Sequence, residues 1–287
     1  MNTMKKLNIL VTGGAGFVGT NLIKKLLNSG HSVTSIDNYS TGYETNHVDG
    51  CEYLTGDITD KEVIKTLQTN IDVMFHLAAL ARIQPSLKNP TKTIENNFNG
   101  SLNVLEYARE NDIQVIYAGS SSMHHGLYGS PYAWSKFGGE ELCKVYSSVY
   151  DLNTTICRFY NVYGPHQLRR GTYATVLGIF LDQYESGRPL TVTGDGEQRR
   201  DFTHIDDIVD ALCLCIGKDF RAEFFELGRG VNYSINELAD MFTLAKYVHI
   251  PARQGEYPFT LCEDKNAFEK LGWVPTRNLK DYVEKCI

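Results

Sequence analysis

The chain predicts an α/β protein built on a doubly wound parallel sheet, with a smaller α/β lobe in its C-terminal part. Three observations carry this expectation. Short apolar runs of strand length alternate with segments of helical period through the first half. A glycine-rich turn, TGGAGFVG from Thr12 to Gly19, stands between the first such strand and the first such helix. Beyond Gly164-Pro165 the alternation loosens into shorter elements. The expected division is therefore a first domain over residues 1–164 and a smaller lobe over 165–287, with elements near 190–228 as candidates to return to the first sheet.

Residues 7–12 (LNILVT) form an apolar run without strict alternation, as in a strand covered on both faces. Phe17, Leu22, Ile23, Leu26 and Leu27 then recur at helical spacing, and Ser29-Gly30 supplies the stop. Residues 33–36 read as the second strand, closed by Asp37. Further strands are expected at 52–54, 73–76, 115–118 and 154–159, and helices at 61–67, 91–110 and 132–150. The second half should contain helices at 175–186 and 206–216, a short strand at 190–192, and a last helix at 279–285.

With 287 residues, 42% hydrophobic and 22% charged, the composition is that of an ordinary globular protein. The formal charge is −6 and no Lys/Arg run exceeds two residues, which argues against a nucleic-acid or anionic-membrane surface. No stretch approaches the roughly 20 apolar residues of a membrane span. The opening MNTMKKLNILVTGG has too short an apolar run for a secretion signal, so a cytoplasmic protein is expected. The seven cysteines are odd in number, contain no C-x-x-C pair and lie mostly in apolar segments; neither a disulfide framework nor a metal site is expected.

The glycine turn satisfies G-x-G-x-x-G at Gly14, Gly16 and Gly19, and Gly13 shares the three-residue spacing of Gly16 and Gly19. Between a strand and a helix this is a Rossmann-type arrangement, in which Gly13, Gly16, Phe17, Val18 and Gly19 bring backbone amides at a helix N-terminus against a pyrophosphate. Asp37 ends the second strand, where its carboxylate can accept from ribose hydroxyls and would repel a 2′-phosphate. Residues 38–59 contain no Lys or Arg, so NAD is expected rather than NADP.

The segment SSSMHHGLYGSPYAWSK, from Ser120 to Lys136, carries candidate chemistry. Tyr132 and Lys136 stand four apart, one helical turn from each other. An ammonium at about 4 Å from a phenol, at an effective dielectric of about 20, favours the phenolate by roughly 4 kcal/mol. That corresponds to about three pKa units, enough to make a phenol a general base. The serines just upstream could share the proton.

These stretches resemble the extended short-chain dehydrogenases/reductases of the NAD-dependent epimerase/dehydratase family, typified by UDP-glucose 4-epimerase. The resemblance runs almost end to end: TGGAGFVG, IDNYSTG, GDITD, FHLAAL, NNFNGSLNVLEYA, SSS with YAWSK, RFYNVYGP, LTVTGDGEQRRDFTHIDDIVDAL, RQGE and LGWVP. It implies hydride transfer with Tyr132 as base, Lys136 beside the nicotinamide ribose, and Ser121 or Ser122 donating to the reacting oxygen. Spacing to Gly126 favours Ser121; the last place in the triplet favours Ser122. The resemblance further implies that Asn38, Asp57 and Ile58 lie along the adenosine side and that Leu77, Ala78 and Ala79 line the cofactor's path. Asn97 would position the serine–tyrosine region, and His76 takes no acid–base role.

On the substrate side it implies Asn161, Arg200, Arg253 and Glu256 around a nucleotide sugar, with a UDP-sugar favoured. Relatives that dehydrate or decarboxylate usually carry carboxylates directly after the serine; in this chain that place is taken by Met123-His124-His125. Epimerisation at carbon 4 is therefore the leading expectation. A reductase or dehydratase of a (deoxy)sugar nucleotide, and a non-catalytic dinucleotide sensor, are the alternatives. Relatives often dimerise through helices matching residues 91–110 and 132–150, so a homodimer is expected. Two departures stand out: the interval from the serines to Tyr132 is short, and so is the segment before RQGE. Three consequences stand open: a more open pocket, a larger or unusual substrate, or weak activity, with His124 and His125 as exposed loop residues.

Overall fold

Seven strands hydrogen-bond into one fully parallel sheet in the computed structural model, which describes residues 5–287. The chain runs β1 (Asn8–Thr12), α1 (Phe17–Asn28), β2 (Ser32–Asp37), β3 (Cys51–Thr55), α2 (Lys61–Lys65) and β4 (Val73–His76). It continues through α3 (Ile83–Lys88), α4 (Pro90–Ile94), a π-helical turn at Glu95–Asn99, α5 (Gly100–Glu110) and β5 (Gln114–Ser120). Next come α6 (Pro131–Tyr150), β6 (Thr154–Phe159), β7 (Val162–Tyr163), α7 (Val176–Glu185), β8 (Leu190–Thr193), β9 (Arg199–Asp201) and β10 (Thr203–His204). Helix α8 (Ile205–Leu214), β11 (Glu223–Leu227), β12 (Asn232–Ser234), α9 (Ile235–Asp240), β13 (Tyr247–Ile250) and α10 (Leu279–Cys286) complete it.

The sheet order is β11-β6-β5-β4-β1-β2-β3. The chain starts in the middle, winds outward to β3, then returns across β1 to β4, so connections on the two sides of the β1–β4 boundary diverge and open a crevice at the strand ends. Strand alternation distributes β1 between two apolar layers. Ile9 and Val11 pack with Leu22, Ile23 and Ile208, while Leu10 packs with Met74, Leu105 and Tyr117. Strand β11 pairs with β6 from Glu223 opposite Thr155 to Leu227 opposite Phe159, so the second half of the chain contributes an edge strand to the first sheet. The remaining short strands form three two-stranded ribbons, and Phe180, Leu181, Leu190, Val192, Leu238 and Phe242 make a separate apolar core there.

The helix expected over 91–110 is interrupted. The π turn at Glu95–Asn99 inserts extra length into the spiral and shifts the phase of α5 relative to α4. Asn97, at its centre, is buried; it accepts from Leu80 N at 2.8 Å and donates to Leu80 O at 3.2 Å and Ser135 Oγ at 3.0 Å. Propensity alone does not show such a bulge; the polar satisfaction of Asn97 does.

A buried ionic chain ties α6 to the sheet. Arg158 on β6 donates to Glu140 Oε2 through Nε at 2.9 Å and Nη2 at 2.7 Å, and through Nη1 to Glu226 Oε1 at 2.8 Å. His124 Nε2 lies 2.7 Å from the same Glu226 oxygen. His124 is exposed, as expected, and is also anchored at its tip by Glu226. The side chain of His125 lies outside the described residues.

Removing Arg158 strands two buried carboxylates. Arg158→Met should lower stability by about 3–5 kcal/mol, read from urea unfolding followed by circular dichroism. The hydrogen bond to Glu226 raises the pKa of His124 above its ordinary 6.5. A raised folded-state pKa gives stability that is complete below the unfolded value and is lost as pH rises through the folded value. Wild type should therefore lose more stability than His124→Gln between pH 6 and 8, by under about 1 kcal/mol given the partial exposure. Parallel urea midpoints at the two pH values measure it.

Candidate active site

The turn after β1 lies at the crevice between β1 and β4. Gly13 has φ +75°, and a Cβ there would stand 2.9 Å from the backbone of Ala78; a Cβ on Gly19 would stand 2.3 Å from Gly13 O. Only glycine permits so close an approach of turn, helix and neighbouring strand. Gly16 caps α1 without a side-chain hydrogen bond, and the first helical turn carries no acidic residue, so its amides present a positive end suited to an anion. Asp37 is mostly buried; it accepts from Ala15 N at 2.9 Å and from Tyr39 N at 2.8 Å. Burial raises its pKa, and those backbone bonds oppose the rise. A cradle that any Cβ would fill, beside an acid at the end of the second strand, fits a dinucleotide with a free ribose edge.

From this turn a cavity of about 500 Å³ extends toward the second lobe. Of the residues expected from the sequence, Gly13, Gly16, Phe17, Val18, Gly19, Asp37, Asn38, Ile58, Leu77, Ala78 and Ala79 line it on the cofactor side. Ser121, Ser122, Tyr132, Asn161, Arg200, Arg253 and Glu256 line it elsewhere. Asp57, Asn97 and Lys136 do not line it. Asp57 accepts from Asn38 Nδ2 at 2.8 Å and so orients a lining residue from outside. His76 is buried between Thr12 Oγ1 at 2.7 Å and Ser101 Oγ at 2.9 Å, and burial brings its pKa down to about 3. It is a neutral structural link.

The serine next to the tyrosine is Ser120. Tyr132 OH donates to Ser120 Oγ at 3.3 Å, and Ser120 Oγ donates to Ser122 Oγ at 2.9 Å. Spacing to Gly126 points to Ser121, and the last place in the triplet points to Ser122. In the structure β5 runs on through Ser120, whose hydroxyl also accepts from Ser122 N and caps a tight helical turn at Ser121–His125. That turn carries the next two serines past the point nearest the ring. Helix α6 starts at Ser130, which accepts from Ala133 N at 3.1 Å, with Pro131 in the first turn; this sets Tyr132 at the helix mouth.

The Lys136 Nζ lies 4.2 Å from the centre of the Tyr117 ring, and burial, partly offset by Glu140, lowers its pKa to about 8. Burial raises the pKa of Tyr132; the Ser120 bond and then the Arg82 guanidinium oppose the rise, while Glu140 adds to it. The spacing of four put Lys136 on the right side of the helix. The ammonium faces the ring of Tyr117, and the Arg82 guanidinium favours the phenolate of Tyr132.

The second lobe covers the short loop. Arg200 on β9 donates to Tyr257 O at 2.8 Å, Gln84 Nε2 donates to Gln254 O at 2.5 Å, and the Tyr257 ring lies close against Gly126. Asn161, with φ +21°, donates to Asp201 O and Thr260 Oγ1, both at 2.9 Å. Sequence reasoning missed Arg82, Ser120, Tyr173 and Tyr257, all of which line the cavity. Arg82 left a signal, a lone charge in the apolar run FHLAALARI.

Comparison with known proteins bears on this site. Residues 9–228 match the model of the NAD dependent epimerase/dehydratase family. A putative UDP-glucose 4-epimerase of Methanocaldococcus jannaschii is 31% identical over 97% of each chain. A UDP-N-acetyl-alpha-D-glucosaminuronate decarboxylase of Bacillus cytotoxicus is 35% identical over 86% of this chain and 84% of its own. A UDP-glucose 4-epimerase of Thermotoga maritima, solved with UDP-glucose, superposes with a TM-score of 0.91 at 30% identity, over 97% of this chain and 96% of its own. The chain is therefore an enzyme of the NAD dependent epimerase/dehydratase family, and NAD is the cofactor that its glycine turn and Asp37 fit.

Proposed function

We propose that the protein inverts carbon 4 of a UDP-sugar through a transient 4-keto sugar. The observation that carries this reading is the Tyr132–Ser120 hydrogen bond in a cavity that continues from the glycine cradle to Arg200 and Arg253. The residues after the serines, Met123-His124-His125, offer no carboxylate for eliminating water or steadying a decarboxylation, and His124 is engaged by Glu226. The relatives named UDP-glucose 4-epimerase support the same assignment.

In this reading NAD, held by the glycine turn and Asp37, would supply the hydride acceptor and donor for carbon 4. The Tyr132 oxygen takes the proton of the 4-hydroxyl and gives it back on the other face. Ser120 hydrogen-bonds the same oxygen, backed by Ser122, while Ser121 lines the wall. Lys136 keeps a positive charge near the tyrosine and the nicotinamide ribose. Arg200 and Arg253 grip the diphosphate, a task for which a planar guanidinium is suited, and Asn161 and Glu256 flank the sugar and the nucleotide ribose.

The division near residue 164 into a cofactor half and a substrate lobe belongs to this proposal, as do a cytoplasmic setting and a homodimer. Among the described residues no helix is long and apolar enough to cross a membrane. For the dimer, Leu105 is fully buried in the protein's own core, but Val145, Val149 and Tyr150 on α6 are exposed and available to a second copy.

Purified protein should interconvert a pair of UDP-sugars differing at carbon 4 with no added cofactor, followed by nucleotide-sugar chromatography. A requirement for stoichiometric NADH would replace epimerisation by net reduction. Tyr132→Phe should reduce turnover by about 10²–10⁴-fold while the protein retains its NAD, measured by release of the nucleotide on denaturation. Sedimentation should give twice the chain mass, and Val149→Glu should shift it toward the monomer.

A further inference from the structure

Arg82 is the N-cap residue of α3 and lines the cavity beside Tyr132. Its Nε donates to Tyr173 O and one Nη1 hydrogen to Ala81 O, both at 3.0 Å. Neither Nη2 hydrogen has a protein acceptor among the described residues, and the group that acts electrostatically on Arg82 is the Tyr132 phenol, not a carboxylate. The cavity's acids are engaged elsewhere: Asp37 accepts backbone amides at the cofactor end, and Glu256 acts on Arg200. A partly buried guanidinium, held at its base by two carbonyls and presenting free N–H groups, calls for an anion.

Two anions are already provided for. The cofactor's pyrophosphate has the α1 amides, and the substrate's diphosphate has Arg200 and Arg253, which the C-terminal half brings to the cavity. Arg82 comes from the N-terminal half, next to the phenol that addresses the 4-hydroxyl. On a hexose one carbon separates carbon 4 from carbon 6, so a carboxylate at carbon 6 falls beside the group that touches oxygen 4. We propose that Arg82 forms a carboxylate subsite for carbon 6, and that the substrate is a UDP-hexuronate rather than a neutral UDP-hexose. This assignment rests on the 4-epimerase reading for the placement of the sugar.

The test is calorimetric titration of NAD-loaded protein with UDP-glucuronate, UDP-glucose and UDP, for wild type, Arg82→Lys and Arg82→Met. Wild type should bind UDP-glucuronate roughly tenfold to hundredfold more tightly than UDP-glucose, the range of a charge-assisted hydrogen bond. Arg82→Met should erase that difference while UDP still binds, and Arg82→Lys should restore part of it. Equal wild-type affinity for the two sugars overturns the subsite. So does an Arg82→Met protein that keeps the preference, weakens for both sugars alike, or loses its NAD, since Arg82 would then serve only Tyr132 or the cofactor. If wild type prefers UDP-glucuronate through Arg82 yet epimerises neither sugar, the subsite stands and the epimerase reading falls.

Discussion

The carboxylate of Glu140, wholly buried on α6, is the contact on which the rest of the site depends. One oxygen receives the Arg158 guanidinium and the other receives Ser120 N at 3.3 Å. The same charge holds up the pKa of Lys136 against burial. A single side chain therefore joins the strand that ends in Ser120, the strand that bears Arg158 and the helix that bears Tyr132. The neighbouring Gly119 is matched to it, since a Cβ there would meet Glu140 Oε1 at 2.6 Å. An ion pair this deep adds little net stability over an apolar one, but it fixes an arrangement that fails badly when one member is removed.

Around that contact the electrostatics of the base are finely divided. Burial makes the Tyr132 phenolate costly, and Ser120 and Arg82 offset part of that cost. The Lys136 ammonium lies over the Tyr117 ring, where a cation is attracted to the π-face. Activation of the tyrosine is thus distributed among a hydroxyl, a guanidinium and a recessed ammonium.

Residues 253–257 pack against both the loop before Tyr132 and the start of α3, with the Tyr257 ring against Gly126 and Gln254 O accepting from Gln84. Strand β11, by joining the sheet, also delivers Glu226 to Arg158 and His124, so the second half of the chain helps to hold the edge that bears Ser120.

The sequence by itself determined the parallel sheet, the glycine cradle, the acid that ends β2 and the tyrosine at the mouth of a helix. These are local matters: apolar period, turn chemistry and helix spacing act between residues close in the chain. The tertiary structure alone decided that Ser120 meets the phenol, that Asn97 sits in a π turn, that Lys136 turns to Tyr117, and that Arg82 is the cation near the base. Each depends on a contact between distant segments, and a side chain's direction is set by the partner that fills the space beside it. Spacing along one helix or loop cannot encode where that partner lies.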